Sequence, residues 1–221
     1  MMKVIVDSLE PITLIGGGPL PTADLAEALT IAQTCVAADG GAKAALEYGI
    51  VPDAAIGDFD SITPDILAQI PPARLHKISE QNSTDFDKAM RHITAPVVIA
   101  VGFAGGRVDH QLAAFHTLLR YPDRPCIIVG AQEIVFHCPS HIAVPIDPDQ
   151  VVSLFPMTPV TGRSTGLQWP IDGLDFAPDT FVGTSNHSTG PIELWMDGPG
   201  MLCILPRQYL RAVTRALVSQ G

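Results

Sequence analysis

The sequence of 221 residues lacks any apolar run near the eighteen or so that a membrane-crossing helix needs, so no span is expected. Its opening, MMKVIVDSLEPITLIGGG, carries Asp7, Glu10 and Pro11, which suits neither a secretory h-region nor an anchor. Basic residues are few. Thirteen Lys and Arg stand against 23 Asp and Glu, a formal charge of −10 with no basic stripe, which argues against a nucleic-acid binder. Charged residues make up only 16% while 47% are hydrophobic, which excludes a disordered or fibrous chain. The four cysteines (Cys35, Cys126, Cys138, Cys203) show no CxxC spacing and each lies in an apolar run, as expected of buried free thiols in a reducing compartment. The seven histidines are not read as a zinc site. These absences predict a soluble, cytoplasmic protein.

What is present is a strong pattern of short apolar runs. Up to residue 130 these are ITLIG (12–16), CVAAD (35–39), AAIGD (54–58), RLHKIS (74–79), VVIAVGF (97–103) and CIIVG (126–130), several bounded by Gly or Pro as buried parallel strands are. Helical periodicity fills the gaps: Leu25, Ala28, Leu29 and Ala32; Ala42, Ala45, Leu46 and Gly49; Phe86, Ala89, Met90 and Ile93; Leu112, Phe115, Leu118 and Leu119. Strand–helix alternation of this kind predicts an open, mostly parallel α/β sheet, with ligands beyond the carboxyl ends of its strands. After Gly130 the runs EIVFHC, HIAVPID, VVSLFPM, TFVGTSN, IELWMDG and MLCILP are separated by Pro, Gly, Asp and Ser. They predict an antiparallel β-sandwich. The expected fold class is therefore α/β with a C-terminal β-sandwich, divided as 1–132 and 133–221. The last segment, RQYLRAVTRALVSQG, reads equally as helix or tail.

The chemistry-bearing residues gather at the predicted strand ends. Asp39-Gly40-Gly41 follows the second strand, where glycines free backbone amides to approach a phosphate or ribose; a tight strand-to-helix turn explains them equally. Gly16-Gly17-Gly18 is similarly ambiguous and is not a GxGxxG fingerprint. Asp58 and Asp60 leave the third strand one residue apart, and in extended chain both would face one side. Two carboxylates held close repel unless a cation lies between them, and Mg²⁺ shared with substrate phosphates is a common solution. A helix N-cap would also explain one of them, but Thr63-Pro64-Asp65 supplies that cap. Thr84 and Asp87 fit a capping box, which leaves Asp85 as a third candidate metal ligand. In GFAGGRVDH (102–110), Arg107 could fork onto phosphate oxygens, while Asp109 serves a ligand or caps the next helix. His110 reads as a surface or packing histidine. Together these elements point to a Mg²⁺-dependent enzyme acting on a polyphosphate such as a nucleotide.

ADGGA (38–42), PDAAIGDFDS (52–61), STDFDKAM (83–90) and GGRVDH (105–110) resemble, in order and spacing, the motifs of the thiamine pyrophosphokinase family, and TGLQWP (165–170) and TSN (184–186) resemble its thiamine-side motifs. The resemblance spans about residues 12 to 205. It implies a transfer of the pyrophosphoryl group of ATP to thiamine by a homodimer with the thiamine pocket at the subunit interface. It also implies Mg²⁺ at Asp58, Asp60 and Asp85, with these and Arg107 as the catalytic set. ATP would meet Asp39, Gly40, Gly41, Asp58, Thr84, Arg107 and Asp109. Trp169, Ser185 and Asn186 would meet thiamine, although a core Trp and a Ser-Asn turn explain those three equally well. Trp195 reads as packing or interface. Asn82 stands where the family usually carries an acid, which implies a weaker hold on Mg²⁺. Two other readings use the same residues: Asp58-Phe59-Asp60-Ser61-Ile62 superficially resembles the DxDx[TV] of aspartate-nucleophile phosphatases, and a nucleotide- or thiamine-binding regulatory module needs no catalysis. A DxD sugar-nucleotide transferase is a third.

Overall fold

A parallel sheet covered on both faces buries every side chain of its inner strands, and the apolar runs of the first half behave in this way. In the computed structural model, which describes residues 3–219, the strands β1 (Val6–Asp7), β2 (Ile12–Ile15), β3 (Thr34–Ala38), β4 (Ala54–Gly57), β5 (Leu75–Lys77), β6 (Ile93–Thr94) and β7 (Val98–Val101) belong to a first unit ending at Thr117. Five of them form one parallel sheet in the order β7-β2-β3-β4-β5, and β1 pairs with β6 apart from it. The two-residue strands β1 and β6 were invisible to the apolar pattern. From β2 the chain steps outward to β5 and then returns to β7 on the other side of β2. Such a reversal opens a crevice above the strands' carboxyl ends. The turns there approach so closely that a Cβ on Gly16 would stand 2.6 Å from Gly102 O, and one on Gly41 2.0 Å from Ile15 O.

Helices α1 (Thr22–Ile31), α2 (Gly41–Glu47), α3 (Pro64–Leu67), α4 (Asp85–His92) and α5 (Val108–Arg120) follow the predicted periods with two corrections. In α5 the buried stripe is Ala114, Thr117 and Leu118, and Leu112 is 57% exposed. Threonine can face inward because its hydroxyl donates to Ala113 O at 2.9 Å, one turn back. Thr63 occupies the N-cap position of α3 with Pro64 at N1, yet its side chain makes no cap bond. Its hydroxyl holds the nearby Asp65 carboxylate below its ordinary value instead.

The second unit, from Leu118, is antiparallel throughout. Strands β8 (Cys126–Val129), β9 (Glu133–His137), β10 (His141–Val144), β11 (Val151–Pro156), β12 (Gly162–Leu167), β13 (Gly183–Met196) and β14 (Met201–Pro206) run in the order β8-β9-β14-β11-β13-β10, with β12 also on β13. The runs TFVGTSN and IELWMDG, read separately in the sequence, belong mostly to the single strand β13 of 14 residues. It serves β11 through Gly183–His187 and β10 through Ile192–Trp195. Pro191, which has no amide proton to donate, lies just before the ladder with β10 begins. Helix α6 (Leu210–Val218) accounts for most of the C-terminal segment, whose residues 220 and 221 lie outside the described residues.

All four cysteines are buried and free. Burial pushes the Cys35 and Cys138 thiols up to about 12 and raises Cys126 and Cys203 as well. Among the described residues no helix is long and apolar enough to cross a membrane.

Candidate active site

The acidic loop after β4 is built around Phe59. Its side chain joins the cluster of Ala37, Ala42, Ala55, Ile62 and Ile70, so Asp58 and Asp60 flank an anchored residue. Phe59 has φ 62°, so the two carboxylates converge through a left-handed turn rather than along extended chain. Asp39, itself at φ 41°, holds that turn. The Phe59 amide donates to Asp39 Oδ1 at 2.7 Å, and the Ser61 hydroxyl donates to Asp39 Oδ2 in a short bond. Gly57 makes room for this, since a Cβ there would lie 2.7 Å from Asp39 Oδ1.

One ligand oxygen from each of Asp39, Asp58 and Asp60 lies within 4.8 Å of the others. Hard carboxylate oxygens, one of them on exposed Asp60, match the donor set Mg²⁺ takes when water and phosphates fill its remaining positions. Asp60 is shifted up by its hydrogen bond to Asp58 and by that neighbour's charge. Asp58 is shifted down, chiefly by its hydrogen bond from Lys88. The expected ligand Asp85 lies outside this trio and shares Lys88 with Asp58: Lys88 Nζ is 2.6 Å from Asp58 Oδ2 and 3.1 Å from Asp85 Oδ1. Burial alone would depress the Lys88 ammonium, but these carboxylates carry it above its ordinary value. Burial raises Asp85.

Sequence reasoning gave Lys88 no role. It lies in α4 between buried Phe86, Ala89 and Met90, and its own side chain is buried. The one signal was its spacing of three residues from Asp85. Thr84 caps α4 as expected, accepting the Asp87 amide at 3.2 Å. The loop before it is tied down by Glu80, which accepts the Asn82 amide at 2.8 Å and short bonds from the Ser83 hydroxyl and Arg91. The Ser83 bond and Arg91 bring the Glu80 carboxyl down to about 2.

These groups border a cavity of about 600 Å³ at the carboxyl ends of the strands. Of the predicted residues, Asp39, Gly40, Asp60, Thr84, Asp85 and Arg107 line it, whereas Gly41, Asp58 and Asp109 do not. Sequence reasoning underrated Gly17 and Gly18, passed over Phe103 and read His110 as a surface or packing histidine; all four line it as well. Phe103 packs on Phe86 with ring centroids 4.5 Å apart. Arg107 is exposed and forks onto Asp109, with Nε–Oδ1 at 3.1 Å and Nη2–Oδ2 at 2.5 Å. The pair raises Arg107 and lowers Asp109.

In the second unit, Trp169 is exposed just beyond β12, with its ring edge-on to His187 at a centroid distance of 6.1 Å. Exposed Ser185 takes φ 62°, and its amide donates to Ser153 Oγ at 2.9 Å. Asn186 is buried and bonds the main chain of Trp169. Trp195 faces His141, ring centroids 5.3 Å apart, on the strand pair β10–β13.

Comparison with known proteins gives a consistent set of likenesses. The family profile described as "Thiamin pyrophosphokinase, catalytic domain" matches residues 25–129, and "Thiamin pyrophosphokinase, vitamin B1 binding domain" matches residues 139–195. Thiamine pyrophosphokinase 1 of Arabidopsis thaliana is 27% identical over 155 residues, which span 61% of this chain and 58% of that relative. Thiamine pyrophosphokinase of Bacillus subtilis is 33% identical over 119 residues, 51% of this chain and 56% of the relative. Among solved structures, a thiamin pyrophosphokinase from Geobacillus thermodenitrificans superposes with a TM-score of 0.71 at 29% identity, covering 89% of this chain and 96% of that one. One from Candida albicans reaches a TM-score of 0.74 at 19% identity, over 90% and 89% of the two chains, a likeness of fold.

Proposed function

The chain belongs to the thiamin pyrophosphokinase family, and from that premise we propose that it transfers the pyrophosphoryl group of ATP to thiamine, giving thiamine diphosphate and AMP. The observation that carries this reading is the convergence of Asp39, Asp58 and Asp60 within 4.8 Å beside the cavity that Arg107 also lines. The thiamine hydroxyethyl oxygen forms a bond to the β-phosphorus, the bond from that phosphorus to the α,β-bridging oxygen breaks, and the hydroxyl proton is released.

Asp58 and Asp60, joined by Asp85 or Asp39, would hold Mg²⁺, which when bound would supply neutralisation of the triphosphate charge. Asp39 also fixes the turn that presents the other two. Lys88 keeps Asp58 ionised and aimed. The turns at Gly17-Gly18 and Asp39-Gly40-Gly41 offer backbone amides to phosphate, with Thr84 beside them. Arg107, released from Asp109, forks onto the transferring oxygens. A loose transition state needs little base strength, so an aspartate orienting the hydroxyl suffices.

Residues 1–132 carry nucleotide and metal, and residues 133–221 carry thiamine and the dimer contact. Trp169 offers a ring face to the cationic vitamin, Ser185 serves its pyrimidine side, and Asn186, the third residue expected there, supports the main chain that bears Trp169. The enzyme acts in the cytoplasm as a homodimer whose thiamine pocket lies at the subunit interface; family likeness supports this arrangement. The aspartate-nucleophile alternative has no support from the family likeness, which points to pyrophosphoryl transfer.

Chromatography of products after incubation with thiamine, ATP and Mg²⁺ tests the reading. Equal amounts of AMP and thiamine diphosphate are expected. ADP with thiamine monophosphate would replace it with simple phosphoryl transfer, and unconsumed ATP would favour a binding module.

A further inference from the structure

Resting on the thiamine reading and deepening it, we propose that Asn186 is a positioning residue that acts on the vitamin through Trp169. Asn186 is 8% exposed, whereas Trp169 is 55% exposed. Asn186 Oδ1 accepts the Trp169 amide at 3.1 Å and the His187 amide at 2.8 Å, while Nδ2 donates to Trp169 O at 2.7 Å. Both main-chain groups of Trp169 are therefore bonded by one amide, as a neighbouring strand would bond them.

This happens where the strand itself has stopped. β12 ends at Leu167, and the Gln168 amide makes the next bond, to His187 O at 2.8 Å. Asn186 continues the ladder by one residue with a side chain. Only an amide of this length both accepts and donates here; an aspartate would set a carboxylate oxygen against the Trp169 carbonyl.

An indole this exposed has few packing partners to fix it, so its orientation depends on the backbone that bears it. Two bonds to that backbone remove main-chain freedom before a ligand arrives, and ordering cost at binding falls accordingly. Asn186 thus sets the ring without itself needing to touch the ligand.

A double-mutant cycle tests this. Asn186→Ala should raise KM for thiamine about tenfold, the scale of a weakened ring–cation contact, with kcat and KM for ATP within about twofold. In a Trp169→Ala background the same change should move KM for thiamine by less than about twofold. A tenfold rise there would overturn the proposal, because Asn186 would then act without the indole. Should Asn186→Ala fail to fold, Asn186→Asp, which keeps the acceptor and loses the donor, carries the cycle, with a rise again expected in the first arm and less than about twofold in the second.

A second readout needs no vitamin. With Trp195→Phe leaving Trp169 as the single indole, fluorescence anisotropy of the ligand-free protein should fall on Asn186→Ala or Asn186→Asp. Unchanged anisotropy would overturn the clamp. Wild-type protein that neither binds nor converts thiamine would overturn the vitamin's role in the proposal, and the anisotropy would tell that failure apart from a failed clamp.

Discussion

Lys88 Nζ lies 2.6 Å from Asp58 Oδ2, and only 2% of the lysine side chain is open to solvent. The pair places one positive charge under a group of carboxylates that would otherwise repel one another. Replacing Lys88 with methionine keeps the volume and leaves Asp58 uncompensated. The expected cost is roughly 3 kcal/mol, the low end for breaking a buried pair, because Asp58 retains some contact with water. Thermal melts should show the loss, and saturating Mg²⁺ should restore more stability to Lys88→Met than to the wild type. Equal gains would remove Lys88 as the counter-charge of the site.

Gly57 and Asp39 give a prediction of a different kind. A methyl group on Gly57 would displace the Asp39 carboxylate, which holds the Phe59 amide and the Ser61 hydroxyl. Gly57→Ala should therefore cost about 1–3 kcal/mol of stability by overpacking. It should also raise the Mg²⁺ concentration for half-maximal activity, because the Asp58–Asp60 turn moves with its tether. A stability loss with an unchanged Mg²⁺ requirement would show that the tether does not set the metal site.

Arg107 projects into solvent, and its removal should leave the melting temperature unchanged. Activity is another matter. Arg107→Ala should lower kcat/KM for ATP on the order of 10²-fold, the scale of a lost charged donor at a transition state. Arg107→Lys should recover only a fraction of this, since an ammonium cannot reproduce the fork. Steady-state kinetics across the three proteins decides this.

Glu80 fixes the loop that leads into α4, and its carboxyl lies near 2 against an ordinary 4.5. A depressed acid contributes stability fully above its ordinary value and loses it as the pH falls through the lowered one. Melts of wild type and Glu80→Gln should therefore differ by a constant amount above pH 4.5, and converge as the pH drops toward 2. A gap persisting at the lowest pH would mean that Glu80 contributes by packing.

Asn82 is exposed, and its amide donates to Glu80. Asn82→Asp adds a negative charge two residues before Thr84, which lines the cavity, and should lower the half-saturating Mg²⁺ concentration several-fold, as charge count tunes cation sites. Titration of activity against Mg²⁺ checks it, and an unchanged midpoint would count against a metal role for this position.

The sheet of the first unit was legible because strands buried on both faces are almost wholly apolar: Ile12–Ile15, Ala54–Gly57 and Val98–Val101 are buried throughout, and the one hydroxyl among them, on Thr13, donates to Ala32 O at 2.7 Å. β12 was harder to read. Gly162–Leu167 holds Arg163, Thr165 and Gly166 and lies only half in the core. The meeting of Asp58 with Asp60 was foreseen for the wrong local reason, since pattern arguments assume extended chain and Phe59 is left-handed. Lys88 escaped notice because a lysine on an amphipathic helix is ordinarily taken to face water. That it faces inward depends on carboxylates 30 residues away and three residues away, and the distant one cannot be seen locally. Asn186 was singled out from the sequence as a thiamine-side residue, but its bond to Trp169 was not, because that partner is 17 residues off, at the end of a different strand.

The buried thiols give the chain an internal gauge of opening. A thiol kept protonated and out of solvent reacts with an alkylating reagent only when its surroundings open. Cys35 belongs to the first unit, and Cys126, Cys138 and Cys203 belong to the second. Intact mass during slow labelling therefore separates the two: one adduct appearing first reports the first unit breathing, and three arriving together report the second. Their lag against each other measures how independently the two units open.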